Sequence, residues 1–245
     1  MAQGKALAIV LCAGQGSRMG AAQNKVFLPL AGVPVGARAI AAFQAAPLVD
    51  EIVVVGRPDE LGRIQLQLVA SYGFTKVSAT LAGGVTRHQS ERRALEALRQ
   101  RIAAGEIALV MIHDGARPLV SGDEIARLVA AVRGLPRPGG ALLATPVAAD
   151  ERIARVTVDD AVEQLFAAGE LARAQTPQGF EAHMLLAAYD RAERERFEGT
   201  DTASVVEAAG GLVVIVPGDE ANLKVTTPDD LLRAEAILRE RERRG

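Results

Sequence analysis

Short apolar runs rich in β-branched residues recur along this chain, at residues 6–12, 51–55, 76–81, 107–112 and 140–145. Runs that are apolar at successive positions suit strands buried on both faces, as in parallel sheets. Between them lie longer segments with helical spacing, at residues 36–46, 60–71, 88–102 and 123–132. This alternation of strand and helix predicts an α/β fold, a mostly parallel sheet covered by helices on both faces, with ligands outside the carboxyl ends of the strands. The loops that follow Leu11, Leu81 and Ile112 are therefore where a site is expected.

Helix starts carry their own signals. Ser121 with Glu124 forms a capping box, and Thr227-Pro228-Asp229-Asp230 places a cap, a first-turn proline and two carboxylates at the positive end of a helix dipole, a structural use of those acids. Between Pro146 and about residue 165 the rhythm breaks into a weak alternation with no covering helix, which predicts a protruding β-arm. The regular order resumes with helices at 181–194 and 202–209, a strand at 212–216 and a helix from Pro228, whose Arg/Glu-rich end at 239–244 is a solvated tail. One domain spanning residues 1–245 is expected.

The balance of charge excludes some partners. A net charge of -2 with 24% charged residues gives no basis for nucleic-acid binding, and no apolar stretch approaches the roughly 18 residues of a membrane span. Cys12, the single cysteine, cannot form an intramolecular disulfide, and with three scattered histidines there is no cluster for structural zinc. A cytoplasmic protein is the expectation, with Cys12 a small buried residue at a strand end.

The strongest local signal is Leu11-Cys12-Ala13-Gly14-Gln15-Gly16-Ser17-Arg18-Met19-Gly20, with Lys25 behind it. Glycines let backbone N–H groups approach phosphate closely, and Arg18 and Lys25 add positive charge. Two commoner phosphate loops fail on spacing: a dinucleotide fingerprint needs glycine where Met19 stands, and a P-loop needs Gly-Lys-Ser/Thr where Met19-Gly20 stands. The parts suit nucleotidyl transfer, in which a phosphate attacks the α-phosphorus of a nucleoside triphosphate and pyrophosphate leaves. That reaction needs positioning and positive charge more than a covalent nucleophile.

Three further stretches fall at strand ends: Ala82-Gly83-Gly84-Val85-Thr86-Arg87-His88-Gln89-Ser90, His113-Asp114-Gly115-Ala116-Arg117-Pro118 and Asn222-Leu223-Lys224-Val225-Thr226. Gly84 and Ser90 can contact a base and ribose, Asp114 can hold a metal and Lys224 can carry a second phosphate. Singly, Asp114 reads as well as a turn residue paired with Arg117, and Lys224 as a surface lysine. Together with Gln175-Thr176-Pro177-Gln178 and Gly199-Thr200-Asp201, these stretches resemble the 2-C-methyl-D-erythritol 4-phosphate cytidylyltransferase family over nearly the whole chain.

That resemblance implies a Rossmann-like three-layer αβα nucleotidyltransferase fold, CTP as donor, a small phosphorylated polyol as acceptor, Mg²⁺ as cofactor and a homodimer built through the arm. It implies that Arg18 and Lys25 stabilise the transition state and that Lys224 orients the attacking phosphate. Ala13, Gly14, Gly16, Gly84, Ser90, Asp114 and Gly115 would surround the nucleotide, with Asp114 on the metal, and Arg117 and Thr200 would shape the acceptor pocket. The two larger departures from the family pattern are both on the acceptor side: Ala168 stands where the family carries an arginine, and the arm runs Pro146-Val147-Ala148-Ala149-Asp150 without the usual threonine; Cys12 and Asn24 are smaller ones, where the family often has alanine and proline. Arg152, Arg155 and Arg173 are candidates to compensate. A cytidylyltransferase for another polyol or sugar phosphate and a non-catalytic CTP-binding paralogue remain alternatives.

Overall fold

The computed structural model describes residues 4–14, 24–148, 150–159, 161–167, 169 and 171–244. Its frame is a seven-stranded sheet of β1 (Lys5–Leu11), β4 (Glu51–Gly56), β5 (Val77–Ala82), β6 (Ile107–Asp114), β7 (Gly139–Pro146), β10 (Ala172–Glu181) and β11 (Leu212–Pro217). Across the sheet their order is β11-β7-β10-β6-β1-β4-β5. Two residues each at Pro29–Leu30 (β2) and Val33–Pro34 (β3) make a small separate ladder.

Every pairing in the large sheet is parallel except those of β10, which runs antiparallel to both β6 and β7. The alternation of apolar runs does not reveal β10, because its sequence holds Arg173, Gln175, Pro177 and Gln178. Pro177 cannot donate to a ladder; it sits where the register with β7 shifts, between Ala174 and Gln178.

Side chains of one strand alternate between the two faces. On β1, Ala6, Ala8 and Val10 enter one core with Phe43 and Ile40 of α1 (Val35–Ala45) and Ile125, Leu128 and Val129 of α4 (Gly122–Arg133). Leu7 and Ile9 enter the other, with α3 (Arg87–Ala103), α5 (Ala182–Glu195) and α6 (Thr202–Ala208). The result is three layers, αβα, as expected.

The predicted helix at 60–71 is broken. It comprises a 3₁₀ turn, α2 (Leu61–Ile64), a π turn at Gln65–Val69 and a 3₁₀ turn closed by Gly73 at φ 61°. The capping box at Ser121 is present, with Glu124 N–H donating to Ser121 Oγ at 3.2 Å and Ser121 N–H to Glu124 Oε2 at 2.9 Å. Asp230 accepts from the N–H groups of Thr226 and Thr227 at the start of α7 (Pro228–Arg244), the structural use expected of it.

The arm is a hairpin of β8 (Ile153–Val156) and β9 (Val162–Phe166) that pairs with no other strand among the described residues. It extends slightly beyond the predicted limit at 165. No helix among the described residues is long and apolar enough to cross a membrane.

Candidate active site

In open α/β sheets ligands bind where the strand order reverses, outside the carboxyl ends. Here that point lies beyond β1, whose neighbours are β4 on one side and β6 on the other. The end of β1 is tied to both, by Cys12 N–H to Val55 O at 2.6 Å and Gly115 N–H to Leu11 O at 2.9 Å. A cavity of about 190 Å³ opens there, lined by Ala13, Gly14, Lys25, Gly84, Ser90, Asp114 and Lys224 among others. Seven predicted site residues, from loops as far apart as Ala13 and Lys224, thus share one cavity. A wider cleft beside it shares Ala13, Gly84 and Val85 and adds Arg57 and Arg93.

Each wall has a local cause. Asn24, buried and unremarked in the sequence beyond replacing a common proline, caps the short helical turn Lys25–Phe27 and donates to Cys12 O and Glu60 Oε2, both at 2.8 Å. That bond ties the turn bearing Lys25 to the end of β1. Gly84 N–H donates to Ser90 Oγ at 3.0 Å, and Thr86 caps α3 through Gln89 N–H. A Cβ on Gly83 would lie 2.8 Å from Ser90 Oγ and 3.1 Å from Ala13 Cβ, so the strand end can close on the first loop only with glycine there.

Asp114 is the charged centre. Its Oδ1 accepts from Arg87 Nη1, and its Oδ2 lies 2.7 Å from Lys224 Nζ. Burial alone would raise this carboxyl, but Arg87 and Lys224 outweigh it and hold the group well below the usual carboxylate range. The partners of Asp114 are therefore Arg87 and Lys224, and the turn pairing with Arg117 is a backbone one, Arg117 N–H to Asp114 O at 2.9 Å.

Arg117 itself does not line the cavity. Its Nη1 donates to Asn222 O at 2.6 Å, while Val225 N–H donates to Ala116 O at 2.8 Å. These two bonds staple the Lys224 loop to the loop after β6, so Arg117 acts on the site through Lys224. Gly115 does not line it either; a Cβ there would meet Cys12 Sγ at 2.6 Å, which makes it a close-packing residue. Thr200 is exposed beside Asp201, the cap of α6. Gly16 and Arg18 lie outside the described residues, as does Ala168.

Of the candidate compensating arginines, none lines the cavity in a single chain. Arg173 pairs with Glu151, Arg155 stacks over Phe166 at 5.5 Å, and Arg152 donates to Glu151 O at 3.0 Å. Cys12 is buried, and desolvation pushes its thiol up to about 12, so it stays protonated.

His113, fully buried, supports the site from below. Thr176 Oγ1 accepts from Asp114 N–H at 3.0 Å, and its hydroxyl is left to donate to His113 Nδ1 at 3.2 Å. The ring proton then lies on Nε2 and points to Arg117 O at 3.0 Å. Burial lowers this imidazole from 6.5 to about 4, so it is neutral in the fold. The unfolded chain takes up the proton near 6.5 and the folded one only near 4; stability from this residue is intact above 6.5 and declines as pH falls toward 4. Each pH unit in that window removes up to about 1.4 kcal/mol. His113→Gln is expected to flatten the fall of urea-unfolding free energy between pH 6.5 and 4; an unchanged slope would assign it to other groups.

A metal would find a sparse donor set. No three His, Cys, Asp or Glu side chains come together among the described residues, and Asp114 is the acid lining the cavity. That set fits Mg²⁺, which is commonly held by one or two carboxylates plus substrate phosphates.

Comparison with known proteins agrees with this geometry. The family model of 2-C-methyl-D-erythritol 4-phosphate cytidylyltransferase matches residues 6–240. A protein of that name from Geobacter metallireducens is 41% identical over 234 residues, covering 96% of this chain and 97% of its own. The structure of 4-diphosphocytidyl-2C-methyl-D-erythritol synthase from Anaerococcus prevotii superposes with a TM-score of 0.80 at 25% identity, over 97% of this chain and 99% of that one. The 2-C-methyl-D-erythritol 4-phosphate cytidylyltransferase of Thermus thermophilus gives 0.71 at 30% identity, over 94% and 98%. With its motifs gathered at the switch point and nearly its whole length matched, the chain belongs to the 2-C-methyl-D-erythritol 4-phosphate cytidylyltransferase family.

Proposed function

We propose that this chain transfers the cytidylyl group of CTP to 2-C-methyl-D-erythritol 4-phosphate. An oxygen of the acceptor phosphate bonds to the α-phosphorus of CTP, the bond from that phosphorus to the bridging oxygen breaks, and pyrophosphate leaves with the electron pair. The products are 4-diphosphocytidyl-2-C-methyl-D-erythritol and pyrophosphate. The observation that carries this reading is the meeting of Lys25, Asp114 and Lys224 in one glycine-lipped cavity.

Ala13, Gly14, Gly84 and Ser90 would receive the nucleotide, and Lys25, with Arg18 of the same sequence motif, would balance the charge growing on the transferred phosphoryl oxygens. A divalent cation held by Asp114 and the triphosphate would supply further neutralisation of that charge. Lys224 lines the cavity and its side chain is 40% exposed, which suits transfer from Asp114 to an incoming acceptor phosphate.

The arm supports a homodimer. Val156, Val158, Val162 and Leu165 are 55%, 102%, 60% and 69% exposed on a hairpin without a covering layer. An isolated two-stranded hairpin is marginally stable in water, and a second copy of the chain would bury this apolar surface. Such an enzyme would work in the cytoplasm.

Pyrophosphate release should be measured with CTP and each of methylerythritol phosphate, ribitol phosphate and other sugar phosphates, with and without chelator. Turnover with methylerythritol phosphate that stops on chelation and returns with Mg²⁺ is expected, from a particle of twice the 25.7 kDa chain mass by light scattering. Turnover with a different acceptor alone would overturn the acceptor assignment, and CTP binding without turnover would overturn the reaction.

A further inference from the structure

Arg87 lies on the cavity wall but holds two carboxylates that face in different directions. Nη1 reaches Asp114, and Nε donates to Glu91 Oε1 at 2.7 Å. The i,i+4 spacing on α3 puts Glu91 one turn deeper, where it is 0% exposed. Its other oxygen, Oε2, accepts from Tyr189 Oη on α5 and from Thr202 Oγ1 on α6 at 3.0 Å. Tyr189 and Thr202 are themselves buried.

A buried carboxylate is poor at stabilising a fold, since apolar residues of similar volume commonly do as well or better. Three donors from three helices nevertheless converge on this one, and its charged partner grips the carboxylate at the centre of the site. We infer that Glu91 is a positioning residue for nucleotidyl transfer: it fixes Arg87, and Arg87 fixes the Asp114 carboxylate in the cavity. Glu91 touches no substrate, because it has no exposed surface. Arginine is required at 87 because a planar fork spans two carboxylates at once, whereas the lysine ammonium is a point charge. Thr202, two residues after Thr200, ties the start of α6 to the same carboxylate.

The inference rests on Asp114 acting in the reaction proposed above. Glu91→Gln keeps the shape: with its amide oxygen on Arg87 Nε, its NH2 faces Tyr189 and Thr202, whose hydroxyls would turn to accept, so it removes the carboxylate with little change in packing. Removing a charged hydrogen bond of this kind corresponds to about a 10- to 100-fold effect. Glu91→Gln and Arg87→Lys are each expected to lower kcat by about that factor while KM for CTP moves less than about threefold, and the double variant is expected to fall little further than either alone. A melting temperature close to wild type shows that the loss is not unfolding. Glu91→Gln with wild-type kcat, or two losses that multiply in the double variant, would overturn the positioning role. If Glu91→Gln does not fold, Arg87→Lys decides alone, and wild-type kcat in it is the refuting result. Absence of turnover in the wild-type protein, assayed alongside, would instead refute the reaction on which the inference rests.

Discussion

Lys224→Ala is expected to lower kcat/KM for cytidylyl transfer by about 10²–10³-fold, the scale of loss when the attacking group is no longer held in place by its charged partner. Lys224 Nζ lies 2.7 Å from Asp114 Oδ2 and the side chain is 40% exposed, so its removal leaves no cavity in the core. The fold should be nearly unaffected, with a melting temperature within a few degrees of wild type. Deleting the ammonium also leaves Asp114 paired with Arg87 alone, one positive charge fewer in a cavity that must receive a triphosphate. CTP affinity should therefore fall as well, though less than turnover. Lys224→Arg keeps the charge and should recover part of the loss. Initial rates of pyrophosphate release give the comparison; kcat/KM within threefold of wild type in Lys224→Ala would remove this lysine from the mechanism.

Phe180→Ala should destabilise the fold by about 3–5 kcal/mol, the range for deleting a buried aromatic ring. Phe180 is fully buried on β10, beside Gly140 of β7. A Cβ on Gly140 would sit 2.0 Å from Phe180 Cδ1, 2.5 Å from Cε1 and 2.6 Å from the Gly179 carbonyl oxygen, so the ring, with that carbonyl, occupies the space that glycine leaves open. Gly140→Ala is accordingly expected to cost about 1–3 kcal/mol through overpacking, or more if the ring cannot turn aside. The two substitutions are coupled. In a Phe180→Leu background Gly140→Ala should cost less than in wild type, and a double-mutant cycle from urea unfolding measures the difference. Strict additivity would show that the ring and the glycine do not share that space.

Much of this molecule can be read before folding, and the exceptions have physical causes. β1, β4, β6 and β7 are apolar runs because both faces of the sheet are covered there, and the edge strands β5 and β11 keep enough apolar residues to be read although they are only half-buried. β10 escapes because it pairs polar and imino residues with neighbours around a register shift at Pro177, and because Gln178 and Gln175 donate to Asp201 Oδ2 and the Asp219 carbonyl far along the chain. Lys25, Asp114 and Lys224 are legible because each stands beside a glycine-rich or strand-end motif. Arg87 lies inside such a motif, but its partner Glu91 looks like the solvated half of a surface i,i+4 pair. What buries Glu91 is Tyr189, 98 residues later, a contact no local pattern encodes. Gly115 and Arg117 show the converse: their motif marks the right loop, while their contacts, Cys12 and the Asn222 carbonyl, are decided by packing.

Helix α7 closes over the first part of the chain. Ala234 shares a small core with Leu30, Val35, Leu119 and Val225, and Arg241 donates to Leu119 O at 2.9 Å. The loop bearing Lys224 is therefore clamped between this helix and the loop after β6. The described donor-side groups, Ala13 to Asp114, are all translated before it. A chain cut before Pro228 keeps the groups that greet the nucleotide and loses the seat of the lysine that brings the second phosphate. The last helix thus holds in place a residue that precedes it in the chain, and the acceptor side of the site is complete only with nearly the whole polypeptide.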